Sequence, residues 1–441
     1  MLYQLSYAGT RPALPETAGR RKRKGPLGLR LAIPCPCRHN GPGFWETAMT
    51  TSPETAGRAM LPDLIRAFAL FGIAVVNVMA FSQPLASGFH DGGLDTQIDQ
   101  AAFLAMSGLF LMKSYPLFSM MFGAGLAYQL DAAERAGKAF APRYFRRMTA
   151  LIVLGILHFI FFWIGDILMT YGILGCLLFL MRDLSAKALA RIGIALIALN
   201  TALLLALGGM IWALETVSPD AIAEFGYEEM NAASLRAFGE GRFGDAAAYR
   251  LGLLPVMLPS VIFQQGLSVF GFFCFGLAAV KSGIIDQPQA PFWRLARRVY
   301  LPIGFLGSLA GAWVLLQAES SVDSKFLLGS AITMGFSAFS ALGYAGIIAA
   351  LSGGRAGPVR AFLAKAGSAS LTAYIVQSVL FSAIFTAYGF SQFGRMSAAE
   401  AIGTAALVAL VSLVFTGLWR SFAPRGPMEV LLRRFTYWGR A

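Results

Sequence analysis

Ten runs of this sequence are too apolar and too long to face water, and they set the fold class. They fall at 63–83, 108–130, 148–163, 166–181, 187–213, 259–280, 298–317, 327–351, 367–388 and 399–419. Crossing the hydrocarbon core of a bilayer takes about 20 apolar residues as helix. The third and fourth runs are short and read as a tight helical hairpin. Barrel strands would alternate apolar and polar residues, and these runs do not, so each is read as a helix. Composition agrees, with 56% apolar residues, 13% charged residues and a mean hydropathy of +0.62. A soluble chain carries roughly 25% charged residues. The expected fold is all-α, a polytopic integral membrane protein with about ten transmembrane helices.

A net charge of +13 invites a nucleic-acid reading, and the placement of the charges removes it. Connections alternate in sign along the chain. One set holds 20 Lys and Arg, from Arg135, Lys138 and Arg143 to Arg433, Arg434 and Arg440. The other set holds five (Arg236, Arg242, Arg250, Lys325 and Arg395) and is otherwise acidic. Basic loops stay inside, so both termini are expected in the cytoplasm. Residues 214–258 form the largest piece outside the membrane, expected as an external helical lid over an outward-facing cavity.

Residues 1–48 carry +6 of the +13, largely from Arg20 to Lys24. They contain no apolar stretch of the secretory kind. PETAGR occurs at Pro15–Arg20 and again at Pro53–Arg58, and Met49-Thr50-Thr51-Ser52 reads as an ordinary start. Residues 1–59 are therefore expected to be a disordered basic leader, an over-extended reading frame before Met49. The alternative is a disordered cytoplasmic tail. Residues 60–441 are the membrane domain. The remaining +7 is largely topology charge, so no nucleic-acid partner is expected.

The four Cys (Cys35, Cys37, Cys176, Cys274) form no CxxC pair, and the three His (His39, His90, His158) are scattered, so neither a disulfide framework nor a metal site is expected. Gly239–Gly244 matches GxGxxG but follows no strand and opens no βαβ unit, so it is set aside. Ionisable and amide groups at bilayer depth carry more weight. Asp63 and Arg66 open the first span, and Asn77 lies eleven residues beyond Arg66, about 16 Å along a helix. Lys113 sits near the outer end of the second span, beside Tyr115 and Pro116. His158 is five residues before Trp163, Asp166 follows Gly165, and Tyr171 lies just over a turn deeper. Gln264 and Gln265 begin the sixth span, and Tyr374 and Gln377 lie in the ninth. The alternatives are ordinary ones: a cap for Asp63 or Asp166, a snorkelling lysine, interhelical hydrogen bonds for Asn77 and the glutamines. By topology Asn77, Lys113, His158, Asp166, Gln264 and Gln377 all fall in the outer half, as one polar chamber would require. His158 with Asp166 has the residue types of a general base and its orienting carboxylate, and Lys113 could hold an anion. His90, in the acidic first external loop, is a second candidate base.

These segments resemble a known family. Leu61-Pro62-Asp63-Leu64-Ile65-Arg66-Ala67-Phe68, continuing to Asn77, is similar to the opening of the YeiB-like membrane proteins, which contain the domain of unknown function numbered 418. Lys113 to Ser119 with Phe122-Gly123-Ala124-Gly125, and Arg146-Arg147 through His158 to Trp163-Ile164-Gly165-Asp166-Ile167-Leu168, resemble two further motifs. So do Gly367 to Tyr374 with Gln377-Ser378, and Arg425-Gly426-Pro427-Met428-Glu429. The resemblance covers about residues 60–438. Ala67 and Ser368 depart from it, standing where the family has glycine and arginine.

By fold the family resembles the membrane acyltransferase superfamily, including the type 3 acyltransferases and lysosomal heparan glucosaminide acetyltransferase. The resemblance implies transfer of an acyl group to an envelope or periplasmic acceptor at a bacterial inner (plasma) membrane. Asn77 stands where the type 3 enzymes carry a catalytic His, so either His158, oriented by Asp166, takes over the role of base, or the protein is not an acyltransferase. A donor such as acyl-CoA would enter past Arg66. Arg66, Asn77, Lys113, Tyr171, Gln264, Tyr374 and Gln377 are the candidate substrate-binding residues. The alternative is a transporter for a small anionic or envelope metabolite, in which Lys113 and His158 bind and release it. The expected partners are the lipid bilayer and a small-molecule or glycan substrate, with no permanently bound cofactor and the oligomeric state open.

Overall fold

The computed structural model describes residues 60–438, apart from 85, 138, 219–226, 322 and 355–356. The leader expected at 1–59 lies outside the described residues, as do Cys35, Cys37 and His39. Among the described residues every regular element is helical. In chain order these are α1 (Leu61–Ser82), α2 (Gln97–Leu109), α3 (Ser114–Arg135), α4 (Ala141–Phe161), α5 (Leu168–Leu178), α6 (Ala186–Val217), α7 (Tyr227–Ser234), α8 (Phe243–Val261) and α9 (Leu267–Lys281). There follow α10 (Pro291–Leu295), α11 (Leu301–Leu316), α12 (Ser324–Ser352), α13 (Pro358–Ser368), α14 (Ser370–Phe385), α15 (Ala398–Phe422) and α16 (Pro427–Thr436).

Eight helical stretches among the described residues are long and apolar enough to cross a membrane. The pair α13–α14, bent by 79°, makes a ninth if taken as one span, and the shorter apolar stretch Leu168–Met181 holds the fourth expected position. Two stretches exceed the sequence reading. α2 and α3 together run from Gln97 to Arg135, and α8 and α9 from Phe243 to Lys281, 39 residues each. For α8 and α9, joined without a non-helical residue, that is about 58 Å at 1.5 Å per residue, against a hydrocarbon core of about 30 Å, whereas residues 110–113 break α2 from α3. Within 214–258, residues 214–217 continue α6 and 243–258 belong to α8, and among the described residues α7 and a π-helical stretch at Leu235–Glu240 lie between them. Pro255 and Pro259 lie inside α8, and the ladder rewinds as a π-helical stretch at Ile262–Gly266, the local adjustment by which membrane helices absorb proline.

The core buries large side chains such as Trp293, Tyr171, Phe272 and Phe273, and sets small, hydroxylic faces between some of its helices. On α12 the buried face includes Gly329, Ser330, Thr333, Ser337, Ser340, Ala341 and Gly343, and Ser340 meets Ser308 of α11 at 3.2 Å between hydroxyls. Large apolar side chains such as Trp212, Leu306, Trp313 and Leu407 point outward. Lipid tails solvate Leu as well as a core does, so helices associate through close-packing small residues.

Helix starts follow their capping chemistry. Thr96 accepts the Asp99 amide, Ser185 the Ala188 amide, Asp323 the Lys325 and Phe326 amides, and Ser397 forms a capping box with Glu400. The connections sort into two sets. In one, Asp99 Oδ1 accepts the Ala399 amide at 3.0 Å, Gln83 donates to Met396 O at 2.7 Å, and Asn231 Oδ1 accepts the Ala86 amide at 3.1 Å. In the other, Lys281 donates to Leu184 O at 2.7 Å, Arg420 to Ser368 Oγ at 2.8 Å, and Arg146 to Trp438 O at 3.0 Å. The acidic and the basic connections thus gather at separate ends, matching the alternation read from the charges.

Candidate functional site

His158 occupies the last turn of α4. Its carbonyl oxygen accepts the Phe162 and Trp163 amides, each at 2.9 Å, which closes the helix. The chain reverses through Trp163-Ile164-Gly165, and Asp166 arrives beside the helix it has just left. His158 Nδ1 and Asp166 Oδ2 share a hydrogen bond of 2.7 Å, and Asp166 Oδ1 accepts the Met169 amide at 2.8 Å at the start of α5. The cap and the orienting carboxylate are therefore one group. The two side chains are 1% and 0% exposed.

Gly155 makes this geometry possible. A Cβ there would sit 2.3 Å from Met169 N and 2.6 Å from Asp166 Oδ1, so any side chain would drive α5 off α4. Trp163 stacks on Phe81 of α1 with ring centroids 3.9 Å apart and planes within 12°. Arg250 of α8 donates to Phe161 O at 3.1 Å, covering a carbonyl that the end of α4 leaves without a helical partner. The Tyr374 ring of α14 lies 4.9 Å from the His158 ring, with its phenol near Asp166 and the Ile167 amide.

A neutral imidazole that spends its Nδ1 proton on a carboxylate keeps a lone pair on Nε2. His158 Nε2 is buried and has no hydrogen-bond partner among the described residues, and the same holds for Trp163 Nε1 and Thr170 Oγ1 on this hairpin. Buried polar atoms left unpaired cost about 1–3 kcal/mol each, so a polar group brought against any of the three would be stabilised. Nε2 can take a proton from a hydroxyl or amine brought against it. At 1% exposure, that approach requires the packed side chains around the ring to move.

The structure brings His158, Asp166 and Tyr374 together and gives the other candidates different partners. Lys113 is fully buried where α2 ends and α3 begins, with Nζ donating to Ser107 O at 2.9 Å and Leu111 O at 2.7 Å. Its ammonium caps carbonyls that α2 leaves bare. Arg66 pairs with Asp63 at 2.7 Å and donates to Met121 O at 3.3 Å. Tyr171 shares a 2.6 Å hydrogen bond with Ser119. Gln377 donates to Leu70 O at 3.2 Å and Ser412 Oγ at 3.0 Å, joining α14 to α1 and α15. Asn77 is half-buried, and Gln264 is exposed on the π-helical stretch. His90 packs edge-on against Phe103, and burial pulls its pKa below the ordinary 6.5 against the opposing pull of Asp323.

Three supporting residues were not singled out from the sequence as parts of the site: Phe81, Arg250 and Glu429. Glu429 of α16 accepts the Leu371 amide at 2.8 Å, the Thr372 amide at 3.2 Å and the Thr372 hydroxyl at 2.6 Å. It caps α14, the helix that brings Tyr374 to His158, just past the 79° bend. The only sequence signal for it is a glutamate after Gly426-Pro427, and nothing local names its partner.

A family model described as a protein of unknown function (DUF418) matches residues 279–439. The chain is 29% identical over 390 residues to the uncharacterised protein YxaH of Bacillus subtilis, covering 85% of this chain and 93% of that one. It is 30% identical over 397 residues to the uncharacterised protein YeiB of Escherichia coli, covering 85% and 95%. No solved structure matches. With YeiB matched over nearly its whole length, the chain belongs to the YeiB-like DUF418 family of multi-helix membrane proteins.

Proposed function

We propose that this protein is a membrane acyltransferase of a bacterial inner membrane, with His158 as general base and Asp166 holding it in position. One observation carries the reading: a fully buried His–Asp pair in which Nδ1 is committed to the carboxylate and Nε2 is left unpartnered. In the proposed step Nε2 accepts the proton of an acceptor hydroxyl or amine. The freed lone pair attacks the carbonyl carbon of an acyl thioester, an ester or amide bond forms, and the carbon–sulfur bond breaks. The imidazolium then returns its proton to the departing thiolate. Acyl-CoA has the required chemistry as donor, and an envelope glycan or lipid supplies the acceptor.

A transporter is the second reading, and the broken helix at Ala369 favours it, because transporters place substrate at the ends of discontinuous helices. Against it, the amides that open α14 are already taken by Glu429.

The test is to express the chain, His158→Gln and Asp166→Asn in a bacterium lacking its own family member and to profile acylated envelope glycans and lipids. The expected result is an acyl modification that appears with the unsubstituted chain and falls about 10²–10⁴-fold in both variants, the usual contribution of a general base. An unchanged acyl profile, with uptake of a small anionic metabolite altered instead, would overturn the enzyme reading in favour of transport.

A further inference from the structure

A groove of ≈ 770 Å³ opens on the outer face of the bundle between α4 and α16. Its walls include Phe145, Val153 and Leu157 of α4, Leu431 and Phe435 of α16, and Trp438 just beyond. The volume lies in the range of roughly 300–1,000 Å³ typical of small-molecule sites, and the walls are almost wholly apolar. In a soluble protein such a surface would be a liability. Here it belongs to a helix of membrane-crossing length and composition, so hydrocarbon chains are its natural solvent.

One end of the groove is basic. Arg146 lines it and donates to Trp438 O at 3.0 Å. Arg143 and Arg433 lie over the ring of the adjacent Tyr437, at 5.5 Å and 4.7 Å from its centroid. No carboxylate is within ion-pairing distance of these three guanidinium groups among the described residues. Arg143 Nε is buried without a hydrogen-bond partner. Two guanidiniums over one aromatic ring, a third lining the groove beside it and a buried donor unspent together offer an anion site of the kind that takes a phosphate.

The dimensions connect the two halves. From Arg146 to Leu157 is eleven residues, about 16 Å along α4. That is close to half of the roughly 30 Å hydrocarbon core, the depth of one leaflet.

We propose that the groove between α4 and α16 is a site for one anionic phospholipid of the surrounding bilayer, its acyl chain lying along α4 and its phosphate among Arg143, Arg146 and Arg433. The proposal stands apart from the reading of the His–Asp pair, since the hydrogen bonds of that pair run to one another and to the Met169 amide and involve none of the three arginines. It assigns α16 a role as one wall of a lipid clamp at the basic end of the bundle.

The test uses the full chain purified in mild detergent. Native mass spectrometry reads retained lipid, and thermal unfolding is followed with added phosphatidylglycerol or phosphatidylcholine. One retained anionic phospholipid is expected, with phosphatidylglycerol alone raising the unfolding temperature. Arg143→Gln and Arg146→Gln should each weaken phosphatidylglycerol binding about fivefold, from about 1 kcal/mol per arginine at a membrane surface. Val153→Trp, at a position already 52% exposed, should fill the groove and displace the lipid while leaving the fold intact. Equal stabilisation by phosphatidylcholine would overturn the proposal, and that comparison needs no variant. So would binding that none of the three substitutions changes. A dimer that Val153→Trp separates would show instead that a second copy of the chain covers the groove.

Discussion

Asp166→Ala is expected to destabilise the protein by about 2–4 kcal/mol, because two buried donors lose their acceptor at once. The His158 Nδ1–H would be left unsatisfied, at about 1–3 kcal/mol, and the Met169 amide would lose its cap, at about 1 kcal/mol. Neither donor faces water, since the His158 and Asp166 side chains are at most 1% exposed and Met169 is itself buried. Asp166→Asn separates the chemistry from the fold. The amide oxygen can still accept from Met169, and the amide nitrogen can donate to His158 Nδ1, so most of the stability should remain. That arrangement forces the proton of a neutral imidazole onto Nε2, the nitrogen proposed to accept one. In serine-protease triads the same exchange costs about 10⁴-fold in rate through the wrong tautomer. Thermal unfolding of the two variants in detergent checks the stability claim, with alanine expected well below wild type and asparagine close to it.

Gly276→Leu is expected to abolish the folded state. A Cβ at this position would lie 1.8 Å from Met120 O, 2.6 Å from Met120 C and 2.9 Å from Ala124 N. All three are backbone atoms of α3, so no rotamer change relieves the clash. The partner surface has the same character, since a Cβ on Gly123 would lie 2.0 Å from Phe273 O. α3 and α9 therefore cross backbone to backbone, with glycine on both sides of the contact. Overpacking typically costs about 1–3 kcal/mol where side chains can repack; here the helices themselves must separate, and even Gly276→Ala should reach the upper end of that range. Gly209→Ala is the control, because a Cβ there meets nothing within 4 Å and alanine is the better helix former by about 1 kcal/mol. Recovery of monodisperse protein by size-exclusion chromatography should be lost for Gly276→Leu and kept for Gly209→Ala.

The span pattern was legible because hydropathy and charge alternation are properties of local sequence. Where it slipped, the cause is physical. Pro255 and Pro259 look like the end of a loop, yet α8 carries both prolines and meets α9 through a π-helical stretch. The hairpin holding His158 and Asp166 was legible for a similar reason. Eight residues and one tight reversal separate them, so their proximity needs no long-range information. Lys113 shows the limit. Its charge was plain, but the carbonyls of Ser107 and Leu111 that hold it are bare only because α2 ends at Leu109. Phe81, Arg250 and Glu429 reach their partners from distant parts of the chain, and no spacing announces such contacts. The expected polar chamber was a statement about depth along the helices. Hydrogen bonding depends on azimuth as well, and that separates Gln264, Gln377 and Lys113 from the His–Asp pair.

If Asp166 holds the proton of His158 on Nδ1, as proposed, Nε2 is left bare. Nitrogen-15 NMR on protein labelled at histidine, with His39 and His90 replaced by glutamine so that one imidazole remains, reads this directly. A protonated Nδ1 and an unprotonated Nε2 are expected, with the pattern reversed in Asp166→Asn. A proton on Nε2 and none on Nδ1 in the otherwise unsubstituted chain would contradict it.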